Sequence, residues 1–453
     1  MHILFLVFTV FMTFIGMSQS PGVPIYPSRS EIINPLHKNS FSNGGTCPQR
    51  LQGGNPRLLE DFTLFNGAMD GYRQVDPQIA VGGGFVLHAT NNGLIIYDKK
   101  GNPVEGASQR CFNDGIDPKM FFDIHNQVFA FDLWWYYDPG KTKPVNISVS
   151  ETNDPRGAWN TYPVPAPSGV DGGAIGFSRR WIGYSFPGGE ENTFVMRTAD
   201  AKRGLPAKVY HFKGSLGLPV FGQDPDDDLY FLEVGNTEFI LRKVYMGERG
   251  DPVAMVMYRK PHGLKYIDWP PASAQPGTTQ KISSGDRNPK NIVLQNGSIW
   301  FSHAVNCEGR SAVQWHQLRL SDGASLQYGL IRDSRSNYIQ TSIAVNKNSD
   351  VLIGFQQADE TRFVSPRFTI HRSSDPPGFT GRILSAGEGE GAADGMSWGD
   401  YSGSVIDGDN LSDLWTVQSI ANKQGKGETV IIKVPVNLKK RTRKSFWRWL
   451  GLW

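Results

Sequence analysis

Asp76-Pro77-Gln78-Ile79-Ala80-Val81 decides the fold, because its pattern returns six more times along the chain. A polar, usually acidic residue and a turn former lead into a short apolar run. The further copies are Asp117-Pro118-Lys119-Met120-Phe121-Phe122, Asp171-Gly172-Gly173-Ala174-Ile175-Gly176 and Asp226-Asp227-Asp228-Leu229-Tyr230-Phe231. Then come Asn288-Pro289-Lys290-Asn291-Ile292-Val293, Gln340-Thr341-Ser342-Ile343-Ala344-Val345 and Asp400-Tyr401-Ser402-Gly403-Ser404-Val405. The seven starts span 324 residues, a mean period of about 54, close to the four-strand unit of a β-propeller. The expectation is an all-β, seven-bladed β-propeller with mostly four-stranded antiparallel blades. The fourth copy is the most degenerate; without it, six larger blades of about 62 residues fit the same span.

Composition agrees with that class. With 51 Gly, 29 Pro and 12% aromatics in 453 residues, and little helical periodicity, the chain reads as strands joined by tight turns. Residues 1–20 read as a signal peptide, since Ile3 to Met17 is almost wholly apolar and Ser18-Gln19-Ser20 follows. The remainder is expected to be secreted or held at a cell surface. Residues 21–60 are a Pro, Ser, Asn and Gly-rich leader with no sustained period. The propeller is expected over 61–435, with Asp61-Phe62-Thr63-Leu64-Phe65 closing the ring by completing the last blade. Phe85 to Thr90, Asn91-Asn92-Gly93 and Leu94 to Tyr97 make the clearest hairpin, because Asn-Gly tolerates the positive φ of a tight turn.

Cys47, Cys111 and Cys307 allow one disulfide with a leftover thiol, or none, and show no metal-ligand spacing. The formal net charge of +3 conceals a tail, residues 435–453, that carries six basic residues and no acid. The rest of the chain is therefore mildly acidic, which argues against nucleic acid as a partner. On a helix, Phe446, Trp449, Leu450 and Trp453 share one face, with Lys440, Arg441, Lys444 and Arg448 broadly opposite. Residues 436–453 thus read as a basic aromatic tail, and 439–453 as a contact for a membrane surface or polyanion, or as a frayed end. Asn146, Asn296 and Asn410 head glycosylation sequons.

A second element follows several apolar strands: Thr152-Asn153-Asp154-Pro155-Arg156-Gly157-Ala158-Trp159, Thr198 to Gly204, and Ser373-Ser374-Asp375-Pro376-Pro377-Gly378. Hydroxyl and carboxylate can bond turn amides while Gly takes the left-handed position. These turns are similar to degenerate Asp-box turns. With Gly399-Asp400-Tyr401-Ser402-Gly403 and Gly309-Arg310-Ser311-Ala312-Val313-Gln314-Trp315, the chain resembles exported, sialidase-like β-propellers of the bacterial-neuraminidase-repeat type. The resemblance implies a fold and leaves activity open, because propellers host unrelated functions.

In a propeller the leading strands converge on a central channel. Asp76, Asp117, Asp171, Asp226 and Asp400 are then candidates for one mouth, where converging carboxylates could hold Ca2+. Otherwise each bonds the amides of its own turn. Lys119 and Lys290 would project there as built-in counter-charges. The run Asp224 to Asp228 lacks the spacing of a calcium loop and reads as a solvated turn. His303, Arg310 and His316 are the candidates for acid/base catalysis, set against a plain hairpin with its polar residues outward. Trp134, Trp135 and Tyr136 would stack on sugars, and Tyr401 joins the ligand-binding candidates. The functional expectation is binding of an extracellular glycan or protein at the channel mouth, with no cofactor required and Ca2+ as the one candidate. Alternatives are a carbohydrate-active enzyme, either glycoside hydrolase or polysaccharide lyase, and a structural surface or matrix protein.

Overall fold

A computed structural model describes residues 62–69, 74–91, 93–104, 110–111, 115–135, 144–165, 172–186, 192–393 and 398–435, with short strands at 23–25, 28–31, 49–50 and 57–59. The signal peptide and basic tail read from the sequence lie outside these residues, as do Asp171 and Tyr136. Trp134 and Trp135 are described only as strand backbone.

The fold is all-β. Its strands fall into successive antiparallel runs, each opening at or near a copy of the repeated motif. The first run comprises Gln78–Gly82, Phe85–Thr90, Gly93–Asp98 and Arg110–Cys111. The second begins with Gly115–Asp123, the third with Ala174–Phe177, the fifth with Ile292–Gln295, the sixth with Asn337–Val345 and the seventh with Gly403–Ile406. Phe221–Gly222 bridges the third and fifth runs by parallel pairing.

The fourth run departs from the sequence reading. Its leading strand is Leu218–Pro219, and Leu229–Val234, which follows Asp226, is its second strand. Asp226 therefore sits in the turn between two strands rather than at the start of a run. The leading strand is only two residues long and carries no acid, so the periodic signal slipped to the next apolar stretch.

The leading strands contact one another in sequence order, passing through Phe221–Gly222 between the third and fifth runs, and the seventh lies against the first. The core has the same cyclic order. Leu87, Leu94, Met120 and Phe131 fill the layer between the first and second runs. Trp300, Trp315, Ile343 and Val351 fill the layer between the fifth and sixth. Ile79, Val86, Trp415 and Ile431 do so between the seventh and first. Because a leading strand is covered on both faces, its apolar residues run continuously instead of alternating. Gln78–Gly82 is buried throughout. Truncating one such aliphatic side chain to alanine costs about 2–5 kcal/mol.

The closing strand expected near 61–65 is Phe62–Met69, which pairs antiparallel with Gly427–Val434 at the end of the seventh run. The leader is not merely an extended tether. Val23–Ile25 adds to the third run beside Ala207–Val209, and Ser28–Glu31 adds to the second beside Ala158–Thr161. Both cover strand edges that would otherwise present unpaired amides.

At three of the motif's leading polar residues the backbone turns left-handed: φ is 42° at Asp76, 55° at Asp117 and 51° at Gln340. Such values are uncommon outside glycine, and Asp tolerates them better than most residues. Pairing shifts register just after Ile116 and Ile339, so the last two mark bulges that re-aim the strand entrance. Among the described residues, no helix is long and apolar enough to cross a membrane.

Candidate functional site

The segments leading into five of the runs enclose a cavity of about 410 Å3. Asp117 and Lys119 come from the second run, Gly172 to Ala174 from the third and Ser215, Gly217 and Leu218 from the fourth. Asp286 to Lys290 lead into the fifth, and Asp400 with Tyr401 into the seventh. The volume falls within the roughly 300–1,000 Å3 typical of small-ligand sites.

Hydrogen bonds between runs fix this floor. The Asp400 amide donates to Asp76 Oδ1 at 2.6 Å, and Asn91 Nδ2 donates to Asp76 Oδ2 at 2.9 Å. Asn91 Oδ1 in turn accepts the Asp117 amide at 2.8 Å. One buried carboxylate thus ties the seventh run to the first, and one asparagine ties the first to the second. Gly399, at φ 134°, brings the chain close to Asp76, in a conformation side chains rarely adopt. Asp76 therefore serves its neighbours rather than only the amides of its own turn.

Lys119 is the central group. Its residue is only 6% exposed, yet it lines the cavity, and its ammonium lies 2.8 Å from the centroid of the Tyr401 ring. That is a cation–π contact with the ring face. Its backbone N–H donates to the buried Asp132 carboxylate at 2.5 Å. Burial drives the Lys119 amine down to about 8 against the pull of Asp117 and Asp132. Burial likewise pushes Asp132 up to about 7, opposed by Lys119 and the Tyr184 hydroxyl. Asp76 rises to about 6 through burial and repulsion from Asp400. Burial and the surrounding carboxylates hold the Tyr401 phenol well above its ordinary range, and its hydroxyl donates to Pro118 O at 3.2 Å.

The other charged groups of the lining are engaged. Lys290 pairs with Asp286 at 2.9 Å, and Glu233 with Arg242 at 2.9 Å. Asp400 is exposed and forms no close ion pair among the described residues, although Lys290 feels its charge through space. The Lys119 ammonium forms no hydrogen bond among them beyond its seat on Tyr401. One donor and one acceptor therefore line the cavity without a close ion-pair partner.

Other expectations need correction. Asp226 is absent from the cavity; Tyr230 donates to its Oδ2 at 2.6 Å. Among the described residues no group of three or more His, Cys, Asp or Glu is placed to hold a metal ion. The run around Asp226 is no solvated turn either. Asp224 accepts the Asn296 and Gly297 amides, each at 2.7 Å, and so clamps the hairpin of the fifth run. Asp227 accepts from Arg179 Nε at 2.6 Å and binds Arg180 of the third run. Asp228 accepts from Lys243 at 2.7 Å within the fourth.

His303 and His316 do meet, Nε2 to Nε2 at 3.2 Å, but they are buried within the sheet and do not line the cavity. His303 Nδ1 donates to Arg287 O at 2.9 Å, and its Nε2 lies 3.2 Å from both His316 Nε2 and Gln314 Oε1. Burial lowers His303 to about 4 and His316 well below its usual value, so both are neutral. The two histidines thus sit on covered strands, Ser298–Cys307 and Arg310–Arg319, rather than facing outward from a hairpin. Arg310 instead pairs with Glu360 at 3.1 Å at the surface. Cys307 is a buried free thiol.

Sequence reasoning missed Asp132, Asn91, Glu233 and Asp286. Asp132 sits mid-strand in Val128–Trp135, and an acid inside an apolar strand was the available signal.

No family model and no curated protein matches the chain. Among solved structures it is similar to a protein of unknown function from Dyadobacter fermentans, at 9% identity and TM-score 0.39, over 72% of this chain and 96% of that one. It is similar to a Trypanosoma rangeli sialidase in complex with sialic acid, at 11% identity and TM-score 0.33, over 82% and 62%. An alpha-L-arabinofuranosidase from Clostridium thermocellum follows at 13% identity and TM-score 0.32, over 60% and 94%. At this level of likeness no activity, substrate or site residue passes from those proteins to this chain.

Proposed function

We propose that the chain is an exported, seven-bladed β-propeller that binds the end of an extracellular glycan in the cavity between its leading strands. The cyclic order of strand contacts and apolar layers supports the propeller. The single observation that carries the ligand class is a pair of lining groups without a close ion-pair partner, the Lys119 ammonium and the Asp400 carboxylate. A sugar's hydroxyls both donate and accept, so adjacent hydroxyls satisfy both groups without bringing net charge. Leaving either one dry and unpaired under a bound ligand would cost about 1–3 kcal/mol.

Titration calorimetry of the purified protein against neutral and acidic oligosaccharides, with and without EDTA, tests this reading. The expected result is saturable binding that EDTA leaves unchanged and that Asp400→Asn weakens about tenfold, equivalent to 1.4 kcal/mol. Binding that is indifferent to Asp400→Asn and Lys119→Met would remove the cavity from the account.

A second reading has its own observation. Burial lifts the Asp76 carboxyl to about 6 and Asp132 to about 7 behind the cavity wall, towards the range a general acid uses. A glycoside hydrolase would release reducing sugar from the same panel, and the binding module would return the glycans intact.

A further inference from the structure

The segment from His262 to Asn291 connects the last strand of the fourth run to the first of the fifth, and its final residues are cavity wall. At its start, the His262 amide donates to Thr237 O at 3.1 Å, next to the strand whose Leu232 to Val234 line the cavity. At its end, Asp286, Asn288, Pro289 and Lys290 are themselves cavity wall. The middle of the segment is tied to that end twice. Arg287 Nη1 donates to Ile267 O at 3.3 Å, and Ser284 Oγ donates to Pro271 O at 2.6 Å. A third tie anchors it to the fifth run, where Asn306 N donates to Asp268 O at 3.0 Å.

Between these ties stands Trp269. It is 59% exposed, more than any other large apolar side chain among the described residues. Other tryptophans of this fold, such as Trp181, Trp300, Trp315 and Trp415, are buried in the layers between runs. Trp269 is followed by Pro270 and Pro271, which restrict its backbone before any ligand arrives. An indole so held offers a flat apolar face with little entropy left to lose on contact. The natural complement of such a face is the C–H side of a pyranose ring, whose hydroxyls stay in water at the rim.

We infer that Trp269 is a second glycan subsite, on the rim of the cavity, so that the ligand is an oligosaccharide chain rather than a single sugar. This rests on the cavity reading above, because the chain end occupies the cavity while a later ring stacks on Trp269. Neighbouring subsites on one ligand raise affinity steeply with length until both are filled, after which further rings add little. Asp400 then governs the affinity of every member of a length series, whereas Trp269 governs only the longer ones.

Cello-, chito- and galacturono-oligosaccharide ladders of one to six residues, titrated into the full-length protein and its Trp269→Ala and Trp269→Phe variants, separate these roles. In the unchanged protein, affinity for one ladder should rise about tenfold or more between its shortest and longest members. Trp269→Ala should flatten that rise while leaving the shortest binder unaffected, and Trp269→Phe should restore most of it. Because Trp269 is exposed, all three proteins should melt at the same temperature, which checks that folding is intact. A ladder that steepens equally in Trp269→Ala overturns this inference alone and leaves the cavity reading standing. No binding by any member of any ladder overturns both.

Discussion

The run Asp224 to Asp228 and the carboxylates at the cavity are made of the same residue type and meet opposite fates. In the run, each of the four aspartates has a donor: backbone amides for Asp224, a phenol for Asp226, guanidinium groups for Asp227 and an ammonium for Asp228. Behind the cavity wall, Asp76 is buried and lifted to about 6 and Asp132 to about 7, and in the wall Asp400 is exposed with Lys290 acting on it only through space. The densest acidic stretch is glue between neighbouring runs. The sparse acids, tens of residues apart in sequence, are the poised ones. Local charge density says little about function; what matters is whether the folded neighbours supply donors.

Breaking the cavity side should cost most. Asp76→Ala leaves the Asp400 amide and Asn91 Nδ2 without their shared buried acceptor. We expect a loss of about 3 kcal/mol in urea unfolding, since bonds to a charged group are each worth about 1.5–3 kcal/mol. On the other side, Asp224→Ala frees the two hairpin amides at Asn296 and Gly297 and should cost about 2 kcal/mol, less because those groups reach water.

The third test contrasts the regions by pH. Asp76 is raised by burial and by Asp400, so its folded carboxyl keeps its proton above the unfolded value of 3.8. That group favours the fold at pH 4 and loses its contribution as pH rises towards about 6. Asp400→Asn removes the repulsive part. Its melting temperature should exceed that of the unchanged protein at pH 7, and the gap should close by pH 4. Asp227 behaves with the opposite sign: its arginine partners hold it below its ordinary value, so its contribution is present at neutral pH and fades as acid protonates it. The smallest effect is expected from Asp227→Ala, at most about 0.5 kcal/mol at pH 7, because its partners are largely in water.

Six of the seven strand entrances were legible from the repeated motif, five of them because a left-handed residue or glycine before an apolar run is a local requirement. Asp76, Asp117 and Gln340 hold that conformation, and Gly172 and Gly399 hold it next to their motif residues. The entrance at Leu218 was not legible, since a two-residue strand leaves no periodicity to read. The convergence of Asp117, Lys119, Lys290 and Asp400 followed from the proposed topology. The partners that set their chemistry did not. Asn91 reaches Asp76 and Asp117 from a hairpin turn, and Asp132 reaches Lys119 across a strand pair. The histidines misled for a related reason: alternation identifies a half-exposed strand, and Ser298–Cys307 is covered on both sides. Trp269 was illegible because exposure depends on where a long connection is tied down, which composition does not record.

The pairing of Phe62–Met69 with Gly427–Val434 has a consequence for how the molecule is made. The Ala68 amide donates to Thr429 across 361 residues, so the seam waits for nearly the whole chain to leave the ribosome. Loop-closure entropy grows only slowly with length, so the wait costs little at equilibrium, but contacts so remote in sequence slow folding. Until the final hairpin arrives, the first and sixth runs each keep one apolar flank uncovered. A chain halted before Gly427 would carry those flanks into solution and should be recovered as aggregate, not as a smaller version of the fold.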